Sequence, residues 1–322
     1  MTLANFLCIG TARSGTTFLH NSISGHSQIY VPTLRKEQNF FDANYHLGLP
    51  FYEITAFSGV RDEIAIGEVT PNYIYDPACA ERVYESLGPD IKLIVCLRNP
   101  AERAYSNYLM YFNWLWESET FKKAIELEPQ RLKEKTSQHL DYRARSCYAS
   151  QLVRYLKFYS PEQMFFIEFE NELKAAKDKM LAELFDFLGV DQEKIHGSDS
   201  DPARNISVVP TVTYFENSQN VSINKPGGEA VTVHVPADSL LILNLLGGLY
   251  VPRGLPELPG FPIEIIRHPS RHMRKFVEKR QSHTPPPKLS EEKCKELNNA
   301  LFKDDILLLE EQTGRSFSSW LH

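Results

Sequence analysis

Two apolar runs organise the first third of the chain. Phe6–Gly10 (FLCIG) and Lys92–Leu97 (KLIVCL) lack the in–out alternation of a half-exposed strand. Both read as strands buried on two faces, the habit of a parallel sheet. A shorter run, Met164–Glu168 (MFFIE), reads the same way. Between the runs the apolar spacing turns helical. Helices are expected over roughly 17–24, 78–87, from Pro100 toward Trp116, and over 150–159, where Leu152, Tyr155, Leu156 and Tyr159 share a face. A further helix over 175–188 is closed by Gly189. Residues 120–145 are strongly charged and predict a helix plus a mobile loop. Alternating strands and helices imply an α/β fold with ligands at the carboxyl ends of the strands.

The first strand runs directly into TARSGTTF. A strand, a small-residue turn and a helix start aim backbone N–H groups at one point, where the helix dipole also favours an anion. Gly10 and Gly15 have the spacing of a Walker A box, but Thr16 stands where its Lys belongs, and the cation is Arg13 inside the loop. The fold expected is therefore a P-loop-like three-layer α/β fold with a mostly parallel central sheet flanked by helices. Lys92–Leu97 does not end in a magnesium-binding Asp. It ends in Arg98, followed by Pro100 at a helix start and then Arg103 and Ser106. A guanidinium fork with a nearby hydroxyl suits a second phosphate. No metal-ligand spacing of His, Cys and carboxylate is present, so no metal is expected.

Composition narrows the class. The chain has 322 residues, 42% hydrophobic and 24% charged, which fits a globular protein. Its net charge of −6 speaks against a general nucleic-acid binder. Five cysteines at irregular spacing, two of them in buried strands, point to a reducing compartment. MTLANFLCIG has no basic n-region or cleavage pattern, and the longest apolar stretch, Leu240–Val251, is short and Gly-interrupted. A cytoplasmic protein without a membrane partner is the expectation. One domain over 1–322 is expected, with an insertion or lid at about 208–265, where the sequence becomes rich in Pro and Gly. Oligomeric state stays open.

TARSGTT resembles the 5′-phosphosulfate loop of sulfotransferases that use 3′-phosphoadenosine 5′-phosphosulfate (PAPS). RNPAERAYSNY resembles their 3′-phosphate motif, in which an Arg and a Ser eight positions later grip that phosphate, as Arg98 and Ser106 are spaced here. The resemblance is closest to the heparan sulfate N- and O-sulfotransferase branch and its soluble bacterial relatives. KEQNFFD (36–42), GEVTPNYIYDP (67–77), CYASQLVRYLKFY (147–159) and LLLEEQTGRSFSSWL (307–321) follow in family order. The resemblance implies PAPS as donor co-substrate, no metal, and transfer to a hydroxyl or amine of a carbohydrate or small-molecule acceptor. It implies donor contacts from Arg13, Ser14, Gly15, Thr16, Thr17, Arg98 and Ser106, with Tyr148 lining the donor or acceptor cleft. A P-loop nucleotide or small-molecule kinase is the alternative.

Sulfuryl transfer needs a base for the acceptor proton, a cation for the leaving phosphate, and exclusion of water. Glu37 aligns with the family's catalytic base and precedes the aromatic pair Phe40 and Phe41, an apolar setting of the kind that tunes a carboxylate for base work. Read without the resemblance, Glu37 pairs with Lys36 or Arg35 on a solvated loop. Glu68 either assists Glu37 and the acceptor or is a buried carboxylate that pairs with an Arg and fixes its loop. Arg13 takes an electrostatic role, since a guanidinium does not readily give up its proton. His20, His26 and His46 read as ordinary half-buried or surface groups. The Lys-Gly-Arg loop that closes over the donor in heparan sulfate relatives is not found; Arg271 and Arg274, in the basic run 267–283, are candidates to replace it.

Overall fold

A computed structural model describes residues 2–114, 116–135, 139–192, 211–224, 230–243, 263–267 and 288–322. These fall into two compact units. The first comprises 1–107, 142–203 and 289–322; the second comprises 108–141 and 204–288.

The first unit is built on a five-stranded sheet in the order β2–β3–β1–β4–β5. Its strands are β1 (Phe6–Gly10), β2 (Ile29–Tyr30), β3 (Ala65–Val69), β4 (Lys92–Leu97) and β5 (Met164–Glu168), and every neighbouring pair is parallel. The apolar runs explain the centre of the sheet. All five residues of β1 are buried, as are Leu93–Leu97 of β4, so a side chain on either face meets a helix and not water. Helices α1 (Thr16–Ile23), α2 (Gly48–Phe57), α3 (Cys79–Leu87) and α4 (Pro100–Asn113) follow successive strands. α6 (Tyr148–Tyr155) and α7 (Lys177–Leu188) flank β5 in sequence. Phe18, Leu19, Ile23, Leu184, Phe185 and Leu188 close the core from α1 and α7.

The expected helix boundaries hold within one or two residues at α1, α3 and α7, whose cap is Gly189 at φ +79°. α4 stops at Asn113, short of Trp116, and α6 stops at Tyr155, short of Tyr159. In each case the apolar side chains continue past the end of the helix, which is why the spacing overran it. The chain's last segment returns to the sheet through α8 (Glu291–Leu301) and α9 (Lys303–Thr313). Arg315 donates to the Phe166 carbonyl at 2.8 Å and to Glu172 at 2.6 Å, and Trp320 Nε1 donates to Glu168 at 3.1 Å.

The second unit contains α5 (Phe121–Glu134), capped by Thr120, and Arg131 pairs with the buried Glu117 at 2.6 Å. It also holds two antiparallel arrays: β10 (Ile263–Arg267), β9 (Ser239–Leu243) and β6 (Thr211–Phe215) in that order, and the pair β7 (Gln219–Asn224) and β8 (Ala230–Val235). The segment expected as an insertion or lid thus contains antiparallel ribbons. Arg271 and Arg274 lie outside the described residues. No helix among the described residues is long and apolar enough to cross a membrane.

Candidate active site

β1 is the central strand, with β3 on one side and β4 on the other, so chain connections leave it in opposite directions. In parallel sheets this switch point opens a crevice at the carboxyl ends of the strands. The loop after β1 and the tip of β4 meet there. Thr11 N–H donates to the Cys96 carbonyl at 2.8 Å and ties the loop to β4. Gly15 stands at φ +87°, and a Cβ on it would sit 2.9 Å from both Leu173 and Phe169, so the turn accepts only glycine. α1 begins immediately, with Leu19 N–H on the Gly15 carbonyl at 3.0 Å. The N–H groups of the first helical turn are left pointing out of the loop, as at any helix start.

The loop side chains divide. Ser14 is fully buried, and its hydroxyl is 2.6 Å from that of Thr11, so it shapes the loop from inside. Thr17 is exposed at the mouth. Arg13 Nε donates to Ser106 Oγ at 3.1 Å, which turns the loop cation toward the second phosphate motif. The cation beside Thr16 comes from elsewhere: Lys36 Nζ donates to Thr16 Oγ1 at 3.2 Å and lies 3.2 Å from Glu37 Oε1. The Walker lysine missing at position 16 is thus replaced in space by one from the segment after β2. This residue was passed over in the sequence as a mere neighbour of Glu37. The signal that could have found it was a Lys beside the candidate base in a chain whose phosphate loop lacks one.

Arg98 and Ser106 are linked through Arg13, which contacts both. Arg98 Nη1 donates to the Arg13 carbonyl at 3.2 Å, and its guanidinium lies 4.8 Å above the Phe169 ring. It also carries two carboxylates, Glu102 at 2.7 Å and Glu170 at 3.7 Å. Burial pushes the Glu170 carboxyl up to about 7, against the pull of Arg98. Arg103, at the end of the first turn of α4, is 1% exposed. It donates to the Ala12 carbonyl at 3.3 Å, to Ser146 Oγ at 2.7 Å and to the Tyr142 carbonyl at 3.2 Å, clamping the loop from below.

Tyr148 takes a different place from the one expected. Its ring is fully buried and its hydroxyl donates to the Arg98 carbonyl at 2.8 Å. It braces the strand tip from behind and lines no cleft. Burial pushes its phenol well above the usual range.

Glu37 pairs with Lys36, and its side chain keeps 45% exposure, so the carboxylate faces outward beside the loop. Phe40 and Phe41 do not cover it. They are buried in an aromatic cluster, Phe40 stacked on Tyr52 at 4.3 Å and Phe41 edge-on to Tyr73 at 5.4 Å. Glu68 lies beneath this segment, fully buried and closed off from any acceptor. Its partners are not an Arg but the Tyr52, Tyr73 and Thr70 hydroxyls, at 2.8, 2.7 and 2.6 Å. Burial raises its carboxyl while these donors pull it back. The same groups hold the backbone after Glu37: Gln38 N–H donates to Thr70 Oγ1 at 3.0 Å and Phe40 N–H to the Tyr73 hydroxyl at 2.8 Å.

His20 binds the Pro32 carbonyl and His26 the Asp191 carbonyl, each at 2.9 Å, and both are buried structural groups. No cluster of metal-ligating side chains occurs among the described residues.

A glycine-turned loop at a helix start, Arg98 and Ser106 joined through Arg13, and a carboxylate beside the loop lie at one end of the sheet. The family model for the sulfotransferase domain matches residues 3–225, more than half of the chain. The chain belongs to the sulfotransferase family. Among its relatives, the membrane-associated sulfotransferase kil1 of Dictyostelium discoideum is 38% identical over 115 residues, 35% of this chain and 24% of that protein. The human heparan sulfate glucosamine 3-O-sulfotransferase 6 is 34% identical over 102 residues, 32% of this chain and 29% of that protein. The human bifunctional heparan sulfate N-deacetylase/N-sulfotransferase 3 is 28% identical over 199 residues, 58% of this chain and 22% of that protein. The sulfotransferase chain thus spans only about a quarter of the length of these curated relatives. The crystal structure of a sulfotransferase from Alicyclobacillus acidocaldarius shares the fold, with a TM-score of 0.65 and 22% identity over the whole of both chains.

Proposed function

We propose that the protein transfers a sulfuryl group from PAPS to a hydroxyl or amine of a carbohydrate or small-molecule acceptor. The observation that carries the proposal is Lys36, whose ammonium touches both Thr16 in the loop and Glu37. It joins a phosphosulfate cradle to a carboxylate within one side chain's reach, where acceptor and donor would have to meet.

The 5′-phosphosulfate sits on the N–H groups of 13–17 and the start of α1, with Thr16, Thr17 and Lys36 around it. Arg98 and Ser106 hold the 3′-phosphate, and Arg13 lies between the two sites. Glu37 accepts the acceptor proton as the acceptor atom bonds to sulfur. The bond from sulfur to the bridging phosphate oxygen breaks on the opposite side, releasing 3′-phosphoadenosine 5′-phosphate. Charge grows on that oxygen, and Lys36 and the helix N-terminus stabilise it there. Glu68 acts through the backbone: with Tyr52, Tyr73 and Thr70 it fixes the segment that carries Glu37, and it is a positioning residue.

Glu37→Gln tests the assignment. The variant should bind 3′-phosphoadenosine 5′-phosphate like the parent and lose about 10²-fold or more in turnover, the usual worth of a general base. Sulfate transfer from labelled PAPS to a panel of amino sugars, oligosaccharides and phenols reads the turnover. Full activity in the variant refutes Glu37 as the base.

A further inference from the structure

The guanidinium assigned to the 3′-phosphate is already neutralised. Arg98 carries Glu102 at 2.7 Å and Glu170 at 3.7 Å, one from α4 and one from the segment after β5. Resting on the reading that Arg98 and Ser106 grip the 3′-phosphate, we propose that Glu102 and Glu170 are the resting counter-ion of Arg98, and that donor binding displaces Glu102 and places a proton on Glu170.

An incoming phosphate would bring up to two negative charges to a guanidinium that already faces two. Both carboxylates cannot remain ionised beside it without strong like-charge repulsion. The two have different ways out. The Glu102 carboxylate is held by Arg98, while its backbone N–H donates to Asn99 Oδ1 at 3.3 Å, and at 36% exposure the side chain can swing into water. Glu170 is 26% exposed and sits against the Asn99 N–H at 3.4 Å, at the start of the segment that packs on the loop. It is the more buried of the two and has a second partner in the Asn99 N–H, so it is the group that stays and takes the proton. Burial already holds its carboxyl at about 7, and a second anion beside it moves the value further up.

The other ionisable groups around the cluster are committed. Glu172 is bound by Arg315 at 2.6 Å, and Lys174 lies over the Phe169 ring at 4.6 Å. Arg103 is spent on Ala12, Tyr142 and Ser146. The Tyr148 hydroxyl donates to the Arg98 carbonyl, and the Cys294 thiol, pushed up to about 11, stays neutral. Arg13 faces Ser106 and keeps its charge. Glu170 is therefore the group whose charge changes near neutrality.

The test is calorimetric titration of the whole chain with 3′-phosphoadenosine 5′-phosphate at pH 7.5, in buffers of different ionisation enthalpy, with adenosine 5′-phosphate as the ligand lacking the 3′-phosphate. The expected result is uptake of about half a proton per 3′-phosphoadenosine 5′-phosphate bound, and a Kd that weakens several-fold, up to about tenfold, per pH unit above 7. Glu170→Gln should bind with a Kd nearly flat from pH 7 to 8.5 and without the uptake. The parent protein alone decides the first point, so a variant that fails to fold does not rescue the idea. Tight binding of the parent without uptake overturns the inference and leaves the donor assignment intact. Uptake that persists unchanged in Glu170→Gln, where the phosphate's own proton is the source, overturns the assignment to Glu170. No binding at all overturns both.

Discussion

Tyr73→Phe removes one oxygen from the centre of the network beneath Glu37 and leaves the ring packing in place. That hydroxyl donates to Glu68 at 2.7 Å and accepts from the Phe40 N–H at 2.8 Å. Losing a hydrogen bond to a charged or partly charged carboxyl costs about 1.5–3 kcal/mol, and leaving a buried N–H without its partner costs about 1–3 kcal/mol more. The sum, about 2.5–6 kcal/mol, is a large share of the roughly 5–15 kcal/mol that holds a typical fold together. At about 2–4 °C per kcal/mol for a chain of this size class, Tm should fall by roughly 10 °C. Activity should fall with it, because the Phe40 N–H that loses its anchor lies three residues from Glu37. Displacing a base by about 1 Å can cost up to about 10²-fold in kcat, whereas the KM for the donor, which this network does not touch, should stay within about twofold. Tyr45→Phe is the control. Its hydroxyl meets only Ser86 at 3.2 Å in a half-exposed place, so less than about 1 kcal/mol is at stake. Scanning calorimetry and initial rates on the two variants decide the matter. A Tm within about 2 °C of the parent, with unchanged kcat, would refute the role given to the network.

Three further outcomes are expected. Lys36→Met should lower kcat by about 10²–10³-fold, the usual cost of deleting a charge-stabilising donor. It should change stability by only about 1 kcal/mol by urea denaturation, since Glu37 is 45% exposed and can turn to water when the ammonium is gone. Arg103→Lys keeps the charge but loses the fork that reaches Ala12, Ser146 and Tyr142, and should cost about 2–4 kcal/mol in the same assay, with weaker donor binding because the loop loses its clamp. Glu170 gives a pH signature without ligand. Its carboxyl is raised from about 4.5 unfolded to about 7 folded, so the folded chain binds more protons between those values and stability falls as pH rises through that window. The loss is about 1–3 kcal/mol, and melting curves of Glu170→Gln from pH 5 to 7.5 should show a flatter profile than those of the parent.

The parts of this molecule written in the sequence are those fixed by local patterns. The unbroken apolar runs of β1 and β4 announce a parallel sheet because no position on either strand is spared for water. The Gly15 turn and the spacing from Arg98 to Ser106 are legible as motifs because each is contained in a dozen residues. What stayed hidden depends on side chains reaching across the fold. Lys36 finds Thr16 twenty positions away, and Arg13 turns to Ser106 ninety-three positions away, so neither pairing has a local signature. Tyr148 stands in a motif segment that suggests a cleft residue, and Glu68 in one that suggests either a group near the acceptor or a buried carboxylate; full burial assigns both to support. Their polar atoms are satisfied by Tyr52, Tyr73 and the Arg98 carbonyl, which only the packed structure brings near.

The central claim, that this site is built for a donor with phosphates at both ends of the nucleoside, is tested most directly by calorimetric titration with three ligands. These are 3′-phosphoadenosine 5′-phosphate, adenosine 5′-phosphate and ATP, each with and without magnesium. The account predicts tight, magnesium-independent binding of the first, with Arg98→Ala reducing it toward the weak affinity of adenosine 5′-phosphate. A preference for ATP that requires magnesium, or equal binding with and without the 3′-phosphate, would contradict it.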